Sequence, residues 1–135
     1  MYKVAAKIIA IGVILISIYI FSQNYLYSDI EIVKNYTIAE VGHTIGFGIS
    51  KAAGVNGSAK WKSFHPDEYI NNRNVICVEA MVLKPSEDGN KGDAIFQFLL
   101  NRDSKYVEFT YFETNGEPRL LYEGRMALKH GILVF

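Results

Sequence analysis

The hydrophobic pattern divides the chain into two unequal parts. From Ile8 to Phe21 it reads IIAIGVILISIYIF, apolar or weakly polar without a break, with Lys3 and Lys7 ahead of the run. Beyond it, short apolar clusters alternate with polar turns, the pattern of a folded domain. Boundaries of 1–27 for a membrane segment and 28–135 for a globular domain follow.

At about 1.5 Å rise per residue the run covers only about 21 Å, short of a hydrocarbon core of roughly 30 Å. Extension back to Val4 makes the span adequate, because the stem of Lys7 can lie in lipid while its ammonium reaches the interface. A cleaved secretory signal and a buried core helix are the competing readings. Cleavage requires small residues after the apolar run, whereas this one ends Ile18-Tyr19-Ile20-Phe21-Ser22-Gln23. Tyr2, Tyr19, Tyr25 and Tyr27 stand near the two ends, where phenols favour the headgroup region. The pattern predicts an uncleaved signal anchor, with Ile8, Ile11, Leu15, Ile18 and Phe21 as anchor residues. Its lysines precede the run and Asp29 and Glu31 follow it, which places the N-terminus in the cytoplasm and the domain outside it.

Within the domain, Asp29 to Lys34 alternates polar and apolar and reads as a short strand or a helical continuation. Thr37-Ile38-Ala39-Glu40 has the form of a capping box and offers a helix start. A second start follows at Thr44, with Ile45, Ile49 and Ala52 at helical spacing; Gly46 and Gly48 weaken that helix unless they serve a close approach. Strands are predicted at 60–64, 75–83, 94–100 and 106–113. The second is apolar on both faces and therefore central. In the fourth, Val107, Phe109 and Tyr111 are expected to face the core. Asn115-Gly116 marks a turn, Pro118 leads into a helix over 119–130, and the apolar tail 132–135 is expected to pack. Consecutive strands flanked by helices predict an α+β fold, a four-stranded antiparallel meander with helices on one face.

Fifty per cent hydrophobic and 13% aromatic residues argue for an ordered domain. Fourteen basic residues balance fourteen acidic ones with no basic cluster, which excludes the electrostatic footprint of a nucleic-acid binder. A single cysteine, Cys77, cannot form an internal disulfide, and its neighbours Val75, Ile76 and Val78 predict a buried thiol.

Thr44-Ile45-Gly46, Lys60-Trp61-Lys62-Ser63-Phe64, the strand Val75 to Val82, Phe96-Gln97-Phe98 with Asn101-Arg102-Asp103, and Glu113 to Pro118 before a final helix resemble a pattern in small bacterial exported proteins. These are lipoprotein-like or single-span envelope proteins. The resemblance implies a single-pass protein of a bacterial inner membrane with a periplasmic domain, and no enzymatic activity. The chain departs from the lipoprotein form in having no cysteine after its apolar run. A type IV pilin pattern is not met either, since Gly12 is followed by Val13 and no Glu precedes Glu31.

No set of catalytic or metal-ligating residue types converges in the sequence. His43, His65 and His130 fall on separate segments, without the spacing of a zinc site. His65-Pro66-Asp67-Glu68 is the best place for a ligand-binding or metal-binding loop, or for a small hydrolase. Gly46-Phe47-Gly48 and Gly54 to Gly57 lack the context of a phosphate-binding loop. The most suggestive surface is a sheet face carrying Ile95, Gln97, Leu99, Tyr106, Glu108, Thr110 and Phe112, which mixes aromatic and polar groups as docking surfaces do. The same face could instead pack on the second helix or the tail. The expectation is a non-catalytic, membrane-anchored accessory domain without cofactor or metal. Its partner would be another envelope protein or a second copy of the chain.

Overall fold

The computed structural model describes residues 28–85 and 91–135. The expected anchor residues Ile8, Ile11, Leu15, Ile18 and Phe21 lie outside them, and no helix among the described residues is long and apolar enough to cross a membrane.

The β-branched and aromatic segments pair in sequence order. Strands β1 (Ser58–Phe64), β2 (Val75–Pro85), β3 (Lys91–Asn101), β4 (Tyr106–Thr114) and β5 (Glu117–Pro118) form one antiparallel sheet in the order β1-β2-β3-β4-β5. The meander is as expected, with one strand more than expected. Asn115 and Gly116 both take positive φ, 50° and 80°, the geometry that folds a two-residue hairpin back on itself. Glu117 and Pro118 therefore pair with Thr114 and Glu113 instead of opening the last helix. Pro118 is tolerated there because an edge strand does not need its missing N–H.

Strand β3 alternates buried and half-buried positions, whereas β2 is buried on both faces from Val75 to Ala80, as expected of a central strand. Ile76, Val78, Ala80 and Val82 meet Ala94, Phe96, Phe98 and Leu100 in a single core. In β4 the alternation breaks. The register shifts between Gln97 and Phe98 of β3, where Gln97 opposes Tyr111 but Phe98 opposes Phe109, so Thr110 is the extra residue of a β-bulge. Past the bulge every side chain changes face. Phe112 is consequently buried, 3% exposed, and Tyr111 lies on the opposite side, which reverses the expected placement of both. The Thr110 hydroxyl donates to the Gln97 carbonyl across the irregular step.

Three helical segments lie on the apolar face: α1 (28–34), α2 (Ile45–Ala53) and α3 (Leu121–His130). Residues 29–34 are thus helical rather than extended. The capping box at Thr37 starts no helix, since Thr37 instead bridges Thr44 across a tight turn. The Thr44 hydroxyl caps α2 by accepting from the Phe47 amide. Val33, Ile45, Ile49, Ala52, Ala127 and Leu128 close the core over the sheet.

Gly46 and Gly48 provide the close approach expected of them. A Cβ at Gly48 would sit 3.1 Å from the Leu128 carbonyl oxygen, and one at Gly46 would sit 3.1 Å from the Lys34 carbonyl oxygen. In the C-terminal tail, Leu133 packs against the core and the Phe135 ring lies against Gly92, at the start of β3.

At the other end of β3, Arg102 grips Asp29 of α1 with both arms of its guanidinium, Nη2 to Oδ2 at 2.6 Å and Nε to Oδ1 at 3.1 Å. Its Nη1 donates to the Arg73 carbonyl. The Asp29 side chain is 3% exposed, so the pair is almost dry on that side. Planar two-point contact of this kind fixes orientation as well as distance. It ties α1 to the β3–β4 turn, across 73 residues of chain.

Gly124 of α3 touches the core most closely. A Cβ there would fall 2.5 Å from Phe109 Cζ and 2.9 Å from Phe112 Cγ. Phe109 stacks on Phe96 and Phe98, with ring centroids 6.0 and 5.2 Å apart, and has nowhere to retreat. Alanine ordinarily stabilises a helix by about 1 kcal/mol over glycine, but overpacking costs about 1–3 kcal/mol. Gly124→Ala is therefore expected to lower stability by up to about 2 kcal/mol, read as a fall in the denaturation midpoint; a rise would contradict this packing.

Removing one member of the buried pair leaves the other charge without compensation. Asp29→Ala is expected to cost about 3 kcal/mol in chemical denaturation, while the apolar pair Asp29→Leu with Arg102→Met should lose clearly less.

Candidate interaction face

Among the described residues, all three helical segments cover one side of the sheet and no helix covers the other. Cross-strand register places its side chains in rows. Lys60, Met81, Ile95 and Glu113 form one row, Lys62, Glu79, Gln97 and Tyr111 the next, and Phe64, Cys77, Leu99 and Glu108 a third. The cations thus stand on β1 and the outer anions on β4, with Met81, Ile95, Cys77 and Leu99 between them in the outer rows and the polar pair Glu79 and Gln97 in the middle one.

The expected face included Ile95, Gln97, Leu99, Tyr106, Glu108, Thr110 and Phe112. The structure brings Ile95, Gln97, Leu99 and Glu108 together on the open side, and Tyr106 lies at its end against Tyr36, edge to face with centroids 6.2 Å apart. Thr110 is the bulge residue and Phe112 belongs to the core. Reading β4 by simple alternation missed Tyr111 and Glu113. The signal available in the sequence was the spacing of Phe109 and Phe112, two large aromatics that cannot share a face in a regular strand. The contributions of Lys60, Lys62, Glu79 and Met81 follow only from pairing.

The middle of the face is polar and fully connected. Glu79 is 8% exposed and receives the Lys62 ammonium at 3.1 Å on one oxygen and the Gln97 amide at 2.9 Å on the other. Among the described residues, no buried side-chain nitrogen or oxygen lacks a partner. Glu79 and Gln97 are thus bonded to each other, while the Lys62 side chain remains 66% exposed at the edge of the network. At the β4 side, loss of hydration and then the Glu113 carboxylate push the Tyr111 phenol above its ordinary value.

The β1–β2 connection walls one end of this face. Pro66 precedes a 3-10 turn, Asp67–Tyr69, which stands over Leu99 and Tyr111 and leaves a depression of about 420 Å³. His65 does not turn into it as a catalytic group would. Its Nε2 donates to the Asn72 carbonyl within the same loop at 2.8 Å. His43 donates from Nε2 to the Leu128 carbonyl at 2.7 Å and holds α2 to α3, and His130 ends α3. The histidines do not converge. Among the described residues, no group of three or more His, Cys, Asp or Glu is placed to hold a metal ion.

Cys77 lies on the open side but is 4% exposed. Burial first, and then the neighbouring Glu79 carboxylate, push its thiol from 9.0 up to about 11, against smaller opposing effects of Lys62 and the Phe98 backbone. A nucleophilic cysteine needs the opposite shift, since the thiolate is the reactive form.

The geometry defines a two-layer α+β domain, an antiparallel meander covered by helices on one face and open on the other. Comparison with known families, curated proteins and solved structures returns no match to any of them.

The Cys77 environment yields a measurable pH dependence. A pKa raised on folding contributes stability that is fully present below the unfolded value of 9.0 and is lost as pH rises through about 11. Thiolate absorbance of the native protein should titrate near pH 11 and that of the denatured protein near 9. Alkylation at pH 8 should require unfolding; rapid modification of the native thiol would refute the burial assigned to it.

Proposed function

We propose that the protein is a membrane-anchored, extracytoplasmic docking module of a bacterial envelope, non-catalytic, which binds an envelope protein or a second copy of its own chain through the open sheet face. The observation that carries this reading is the one-sided architecture. Helices occupy only the side of Phe96, Phe98, Phe109 and Phe112, while Met81, Ile95, Leu99 and Tyr111 are left partly accessible around a satisfied polar bridge. Aromatic and aliphatic groups bordered by charges are what a specific, non-obligate interface uses.

The anchor reading comes from the apolar run and its flanks, and the ion pair gives it a geometric consequence. Asp29 ties the start of the domain to the β3–β4 turn, whereas Phe135 packs at the opposite end of β3. A bilayer entered just before residue 28 would adjoin the β3–β4 turn. The open face would then stand roughly upright above the membrane, presented sideways to neighbours in the same bilayer.

A photo-crosslinking residue at position 95 or 111 in membrane-embedded protein should capture one discrete partner, and Met81→Lys, joined by Ile95→Asp where the crosslinker stands at 111, should abolish the adduct without unfolding the domain. The same residue at Val55, fully exposed in the α2–β1 loop, should capture nothing discrete. Equal capture from Val55, or none from position 95, would refute the docking face.

A further inference from the structure

We infer that the depression between the 3-10 turn and the open face binds an organic cation with carbon next to its charge, a quaternary or alkyl ammonium group. Three aromatic side chains from different elements line it: Phe64 at the end of β1, Tyr69 in the turn and Tyr111 in β4. Asp67 and Glu68 supply two carboxylates at its wall, and no lysine, arginine or histidine is among the lining side chains. Aromatic rings attract a cation by their quadrupole, and carboxylates add the long-range term that brings it in.

The nearest sheet cation is already committed. Lys62 sits 3.1 Å from Glu79, and its ammonium is 5.6 Å from the Phe64 ring centroid. One ring of the site therefore already has a cation against it, while Asp67 and Glu68 remain on the far wall. Other ligand classes fit worse. An anion would meet two carboxylates, and the nearest ammonium, that of Lys62, is already paired with Glu79. A hard metal ion takes six or more oxygen ligands, and among the described residues no metal-binding cluster occurs here. An uncharged apolar group would use the rings but gain nothing from the carboxylates. At about 420 Å³ the space is within the usual range for a small ligand or one inserted side chain.

The inference does not require the docking reading, although both use Leu99 and Tyr111. Titration of the full-length chain in detergent micelles, followed by calorimetry and tyrosine ring resonances, compares choline with neohexyl alcohol, its uncharged isostere. Choline should bind about tenfold more tightly, and Tyr111→Leu or the pair Asp67→Asn with Glu68→Gln should weaken choline about fivefold or more. Both positions of the pair are exposed, so the fold should melt unchanged. A capped trimethyllysine amide that binds more tightly than choline would identify a partner's side chain as the source; the reverse order would identify a free amine. Equal affinity for choline and its isostere, or undiminished choline binding in the double variant, overturns the site. Crosslinks from position 95 that persist alongside such a result would leave the docking face standing.

Discussion

The structure depends on packing four phenylalanines on one face of the sheet. Phe96 lies 4.8 Å from Phe112 and 6.0 Å from Phe109 by ring centroid, and Phe98 lies 5.2 Å from Phe109. Phe109 and Phe112 are three residues apart, and a regular strand would point them to opposite sides. The bulge at Thr110 resolves that conflict by adding one residue to β4. Bringing α3 down on this layer then requires a side chain no larger than hydrogen at position 124. The bulge, the aromatic layer and Gly124 are one arrangement, and a change to any of them is felt by the other two.

The bulge also determines what the open face presents. With Phe112 turned inward, Tyr111 and Glu113 take the β4 positions of the middle row and of one outer row, opposite Gln97 and Ile95. Outer carboxylates on β4 then face across the sheet toward Lys60 and Lys62 on β1. The lysines have a second consequence, because β1 is an edge strand with unpaired backbone groups, and charged side chains there discourage pairing with another chain. The β1 edge is thereby guarded against uncontrolled strand pairing.

Much of this architecture was legible from periodicity, and the exceptions have physical causes. Strands β2 and β3 were readable because alternation and β-branched content agree over their whole length. Gly46 and Gly48 were readable as contact points because only packing offsets their cost in a helix. The face of Phe112 was not readable, since a single inserted residue inverts parity without altering composition. Thr37 to Glu40 satisfied the form of a capping box, yet Thr44 offered the same chemistry directly before the stretch with helical apolar spacing. The Asp29–Arg102 pair joins positions too distant for local pattern to reveal. Among candidate site residues, His65 and Cys77 carried the chemistry that a sequence suggests first. His65 is bonded within its own loop, away from the other histidines, and desolvation of Cys77 disfavours the reactive thiolate.

The size of the open face constrains how docking can work. Four strands spaced about 4.8 Å apart, over about seven residues of about 3.4 Å rise, project roughly 450 Å². That is little more than half of the about 800 Å² per partner typical of a stable interface. A freely diffusing domain would hold a partner weakly with such a face. Confinement in one bilayer changes the balance, because tethering makes the second contact effectively intramolecular and raises the local concentration of the partner. On the proposed reading the small face and the anchor would act together: the membrane would supply proximity, and the rows of Lys60, Met81, Ile95 and Glu113 would supply orientation and choice.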